Sequence, residues 1–200
     1  MLLSYYDPYP RFGLEQPVIL MAPPWSGLLA SAAWIANTTG IRFIDLDALV
    51  EHRMATAVVA LATTAMEGAF RNAQLQVLGE ELVKKPYGIF ASEDVGFWPS
   101  LRGISKSPFY ALDVQPHPES HFESFQLARR NRRREKFASR PWLLEAPREF
   151  EAFSTWVQNQ HSGDLIAHET LTVASAEPIG MSNLLKTHLM DAGLMKEYGV

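Results

Sequence analysis

Residues 17–22, Pro-Val-Ile-Leu-Met-Ala, form an unbroken apolar run closed by Pro23-Pro24. The run is too short for a stable helix and does not alternate with polar residues. It therefore predicts a strand buried on both faces, the kind found in parallel sheets covered by helices. The rest of the chain has the spacing such a sheet needs. Residues 27–37 read as a mostly buried helix, stopped by Thr38, Thr39 and Gly40. A strand follows over 41–45, then a helix from Ala48 with Asp47 as its cap. A longer helix over 65–84 ends before Pro86, because the residue preceding a proline disfavours helical geometry. Strands are expected over 87–91, 109–114 and 165–174, and helices over 118–136, 147–160 and 181–192. Strands alternating with helices specify an α/β fold with a parallel sheet between helical layers. Residues 1–16, rich in aromatics and proline, read as an irregular N-terminal arm, and residues 17–200 as one domain.

Composition narrows the function classes. Two hundred residues with 47% hydrophobic side chains suffice for one well-buried core. A net charge of −4 gives the whole molecule no pull toward nucleic acid or anionic membrane. The absence of cysteine excludes disulfides and thiolate metal sites. No apolar run reaches the roughly 18 residues that span a bilayer, and the N-terminus lacks the basic segment and apolar core of a signal peptide. The expectation is a cytoplasmic protein with no membrane association.

The segment after the first buried strand, Ala22-Pro23-Pro24-Trp25-Ser26-Gly27-Leu28-Leu29, stands between a strand and a helix. A phosphate-binding loop at such a place reads G-x-x-x-x-G-K-[ST]. Its glycines let backbone N–H groups wrap the phosphates, its lysine offsets their charge and its hydroxyl holds magnesium. Here Ala22 stands for the first glycine, Leu28 for the lysine and Leu29 for the hydroxyl residue, and only Gly27 is retained. Pro23 and Pro24 carry no N–H to donate. Neither ATP nor magnesium is expected as a cofactor.

Further motifs give this order a familiar outline. "RFIDLDALVEHRMA", "AMEGAFRNAQLQVL", "YGIFASEDVG", "FYALDV" and "SRPWLL" follow one another at set spacings. Together they resemble the shikimate kinase family, with its D-x-D strand end, its F-R helix, its glycine triplet after a strand and its R-P-L-L lid. The resemblance runs over about residues 17–190. It implies a three-layer P-loop NTPase-like fold with a five-stranded parallel sheet. It also implies a helical substrate-binding segment, a mobile lid, and a family activity of phosphorylating a shikimate hydroxyl with ATP and magnesium. By the same resemblance Asp45 lies where a carboxylate sits near magnesium, and Asp47 where one accepts hydrogen bonds from substrate hydroxyls. Arg71 lies where a guanidinium grips the substrate carboxylate, a task suited to its bidentate geometry, and Arg140 where the lid arginine reaches nucleotide phosphates.

The chain departs from that pattern at the glycine triplet, which reads Ser92-Glu93-Asp94. Two acids there would repel an anionic substrate, so a neutral or cationic ligand suits the site better. The family's second substrate arginine has no counterpart in "WVQNQHSGD". The main expectation is a shikimate kinase-like pseudokinase, non-phosphorylating, that binds a small polar metabolite or a protein partner in a regulatory role. One alternative is an ATP-independent enzyme acting on a cyclic polyol or hydroxy acid, with Asp47, Glu93 or Asp94 as general acid or base and Arg71 as anchor. Another is a divergent small-molecule kinase. Two further clusters carry less. The run Arg129, Arg130, Arg132, Arg133, Arg134 and Lys136 reads as a solvated helix end whose cations suit the C-terminal dipole, so nucleic acid is not an expected partner. His117 and His121 have the i, i+4 spacing of metal ligands, but flanking prolines favour a turn and no metal is expected.

Overall fold

The computed structural model describes residues 12–55, 67–93, 108–130, 146–161 and 167–198, with the side chains of 67–71, 160 and 161 outside the description. Strands are β1 (Phe12–Leu14), β2 (Val18–Met21), β3 (Arg42–Asp45), β4 (Gly88–Ser92), β5 (Tyr110–Pro116), β6 (Glu169–Val173) and β7 (Met195–Glu197). Helices are α1 (Leu28–Thr39), α2 (Leu46–Met54), α3 (Glu67–Leu82), α4 (Pro118–Arg130), α5 (Phe150–His161) and α6 (Pro178–Asp191). Five strands make one parallel sheet in the order β3-β4-β2-β5-β6, as the α/β reading requires.

β2 lies at the centre, and all four of its residues are buried. Successive side chains of a strand point to opposite faces, and β2 supplies two cores in this way. Val18 and Leu20 pack with Leu28, Ala32 and Ile35 of α1 and with Met181, Leu185 and Leu189 of α6. Ile19 and Met21 pack on the other face with Phe90, Ala111, Leu46 of α2, and Leu78 and Leu82 of α3. A third, aromatic cluster of Phe125, Phe153, Phe122, Trp156 and Trp25 joins α4 and α5 to the loop after β2.

Two expectations change. Residues 12–14, read as part of an irregular arm, form β1, which pairs antiparallel with β7. Phe12 and Leu14 alternate inward and are buried in the main core, so three residues suffice once a partner strand is present. Asp47 does not cap α2. Asp45 does so, accepting from the N–H groups of Asp47 (3.1 Å) and Ala48 (3.2 Å), because β3 runs directly into the helix with no intervening loop.

A buried carboxylate ties this half of the sheet together. Glu81 of α3 meets Arg42 of β3 at 2.9 Å, Arg53 of α2 at 2.8 Å and Lys84 at 2.7 Å. Burial pushes the Glu81 carboxyl upward, but the hydrogen bonds and charges of Lys84 and Arg42 outweigh it and hold the group below its ordinary value of 4.5. A carboxylate depressed on folding stabilises the native state above its unfolded pKa, and that contribution is lost as pH falls through the folded value. Urea midpoints of the native protein should therefore fall as the solution is acidified below 4.5. Glu81→Gln should be less stable at neutral pH and show a smaller further loss on acidification; an unchanged acid limb would contradict the assignment.

Candidate functional site

The sheet fixes where a site can form. The chain leaves β2 for the β3 edge, returns to β4, and then crosses to β5 on the other side. The crevice at the carboxyl ends beside β2 is thus the point where the strand order reverses, the usual ligand position in open α/β sheets. Met21 of β2 pairs with Ser92 of β4 in register, so Ala22 and Glu93 leave the sheet side by side.

The loop of residues 22–27 is a tight turn, closed by the Ser26 N–H on the Pro23 carbonyl at 3.2 Å. Trp25 has φ 64° and Gly27 φ 82°, both left-handed. For Gly27 the conformation and the surroundings both demand glycine, since a Cβ would stand 2.5 Å from the Ala176 carbonyl oxygen. For tryptophan the left-handed region is unfavourable. Its ring is held in place by the aromatic cluster, with centroids 4.8 Å from Phe125 and 6.3 Å from Trp156.

The group facing this loop is the chain's own Glu93 carboxylate. Its Oε2 accepts from the Trp25 N–H at 3.2 Å, and its Oε1 accepts from the Ser26 hydroxyl at 3.3 Å and, at a longer 3.5 Å, from the Leu29 N–H. Ser26 Oγ in turn accepts from the Leu28 N–H at 3.1 Å. Two orphan donors at the start of α1 are therefore met, one directly by a carboxylate and one by a hydroxyl, at a helix end that favours negative charge. Leu28 is fully buried and Leu29 packs against the same core. The loop is clamped from its far side as well: the His121 imidazole donates from Nε2 to the Pro24 carbonyl at 2.7 Å.

The other residues singled out in the sequence divide between two places. Asp45 is occupied as the cap of α2. Asp47 is buried, and its Oδ1 accepts from Gln74 Nε2 at 3.0 Å and from the Ser92 hydroxyl at 3.5 Å. Glu93 turns toward the loop rather than toward Asp47. Arg71 lies in α3, with its side chain outside the description, and Asp94, Arg140, Arg132, Arg133, Arg134 and Lys136 lie outside the described residues. Sequence reasoning placed Glu93 among converging acids but missed its attachment to the loop. The available signal was register: two neighbouring parallel strands ending together, one followed by donors without a cation, the other by an acid. It also missed Gln74 and Ser92 as the partners of Asp47.

With this geometry in view, the fold is of the shikimate kinase-like, P-loop kinase type. The chain aligns with the shikimate kinase of Acinetobacter baumannii in complex with shikimate at a TM-score of 0.64 and 15% identity, covering 90% of this chain and 96% of that one. For the Bacteroides thetaiotaomicron shikimate kinase the values are 0.58 and 16%, over 90% and 99% of the two chains. For that of Aquifex aeolicus they are 0.58 and 19%, over 88% and 99%. No protein-family model matches the chain, nor does any curated protein. At such identities the likeness establishes a shikimate kinase-like fold.

Removing the Glu93 carboxylate leaves the half-buried Trp25 N–H and the Ser26 hydroxyl without their acceptor. Glu93→Ala should lower unfolding free energy by about 1–3 kcal/mol, measured by urea denaturation at neutral pH. A loss no larger than that of an exposed surface substitution, about 0.5 kcal/mol, would show that the contact carries no weight.

Proposed function

We infer that this protein keeps the scaffold of a shikimate kinase-like enzyme without using ATP or magnesium, and serves in the cytoplasm as a small-molecule-binding or regulatory protein. The observation that carries this reading is the Glu93 carboxylate bonded to the donors of the loop between β2 and α1. A nucleotide phosphate at the same donors would meet a fixed negative charge. At about 4 Å such a repulsion amounts to about 4 kcal/mol near a protein surface. The residues that would offset it are missing, since Leu28 and Leu29 stand where a lysine and a magnesium-binding hydroxyl are needed, and each charge-assisted bond forgone is worth about 1.5–3 kcal/mol. Phosphoryl transfer depends almost wholly on positioning and charge stabilisation, so these losses bear directly on the reaction. Asp45, which the resemblance puts near magnesium, is engaged as the cap of α2, and Asp47, which it puts at the substrate hydroxyls, is engaged by Gln74 and Ser92.

Thermal unfolding with saturating ATP and magnesium tests the reading. A kinase holding nucleotide at a hundredfold excess over its Kd gains about 2.7 kcal/mol, or about 5–10 °C in Tm for a chain of this size. No shift is expected here, and no transfer of labelled phosphate to shikimate or other cyclic polyols. A rise of that size accompanied by transfer would establish a working kinase.

A further inference from the structure

The start of β6, the last strand in the sheet order, is held by an imidazole. The His168 N–H donates to the Ala111 carbonyl of β5 at 2.9 Å, as a ladder bond would. The returning bond does not run from main chain to main chain. The Ala111 N–H donates to Nδ1 of the His168 ring at 3.0 Å, so a side chain stands in for the carbonyl that a further strand residue would offer. Regular pairing begins one residue on, at Leu112 and Glu169.

Aromatic neighbours keep the ring in that role. It stacks on Tyr110, with centroids 5.5 Å apart and planes at 19°, and stands perpendicular to Phe109 at 5.9 Å. The Tyr110 hydroxyl donates to Glu169 at 2.6 Å, and His188 of α6 brings its Nε2 within 3.5 Å of both groups. Among the described residues, Tyr110, Glu169 and His188 are the titratable groups that this cluster brings together with His168. Burial, then the hydrogen bond and charge of Glu169, push the Tyr110 hydroxyl up to about 12, so it stays a donor at neutral and acid pH.

The chemistry of the ring makes the contact conditional. A neutral imidazole has one N–H and one acceptor nitrogen. With Nδ1 accepting from Ala111, Nε2 carries the hydrogen, and an added proton can go only to Nδ1. Both ring nitrogens are then donors, and the new N–H would point at the Ala111 N–H. His168 is exposed, so solvent protons reach it. The paired strand end therefore binds one proton fewer than the released one, and falling pH favours release.

We propose that His168 is a pH-sensitive pin: neutral, it joins the start of β6 to β5, and protonated, it lets both Ala111–His168 bonds go and frees the point where the connection from α5 enters the sheet. The far end of β6 stays tied, because the His117 N–H donates to the Val173 carbonyl at 2.8 Å. The change is local, at the end of the sheet opposite the β2–α1 loop, and it stands apart from the reading of that loop.

The test is nitrogen-15 NMR on the full chain between about pH 8 and pH 5, the range in which imidazoles change charge. At the upper end a scalar coupling between the Ala111 nitrogen and His168 Nδ1 should report their hydrogen bond. At the lower end it should vanish. Protection of the Ala111 and His168 amides, corrected for the intrinsic pH dependence of exchange, should fall by about two- to tenfold. The Tyr110 N–H, bonded to Pro17 on the β2 side at 2.9 Å, is the internal reference and should not change. His168→Asn offers an amide oxygen near the position of Nδ1 that accepts at every pH, and it should keep both amides protected in acid. His188→Gln should leave the response in place. A coupling or protection that survives acid, an equal loss in His168→Asn, or a response abolished by His188→Gln would overturn the proposal. So would a parallel loss at Tyr110, which would make the change general acid unfolding.

Discussion

Glu93 meets the β2–α1 loop because two parallel strands finish at the same level. Met21 and Ser92 are register partners, so the first residues beyond them emerge together at the reversal point of the sheet. On one side comes a loop that presents the Trp25 N–H, the Ser26 hydroxyl and the head of α1; on the other comes a carboxylate. A helix N-terminus with unmet donors attracts negative charge, and the nearest negative charge belongs to the chain itself. Two leucines follow at once at the head of α1, and they pack into the core beneath β2. The aromatic cluster holds Trp25 in its unfavourable conformation, and His121 fixes the carbonyl of Pro24. Loop, helix start and sheet are consistent with one another around that one carboxylate.

Much of this was legible in the sequence, for physical reasons that differ by element. β2 was plain because four residues buried on both faces leave no polar alternation. The end of α1 was plain because Gly40, at φ 76°, adopts the left-handed geometry that closes helices. The ordered motifs pointed to the shikimate kinase-like fold that the structure has, even though each is short. β1 and β7 were hidden because a three-residue strand carries no period of its own, and its identity comes from a partner about 180 residues away. The cap of α2 was misplaced by two residues because nothing in Asp45-Leu46-Asp47 says where the strand stops.

The site was less legible than the fold. Acids at the ends of β3 and β4 were visible, but their partners were not, because which way a side chain turns depends on donors from distant elements. Glu93 finds Trp25 and Ser26, 68 and 67 residues away, and Asp47 finds Gln74.

The proposed function depends on the Glu93 carboxylate staying bonded to the Trp25 N–H and the Ser26 hydroxyl. A crystal structure of the protein soaked with a non-hydrolysable ATP analogue and magnesium addresses this most directly. The account predicts that Glu93 remains within hydrogen-bonding distance of the Trp25 N–H and the Ser26 hydroxyl, with no phosphate density at the head of α1. Phosphates seated against Gly27, with Glu93 swung away, would contradict it.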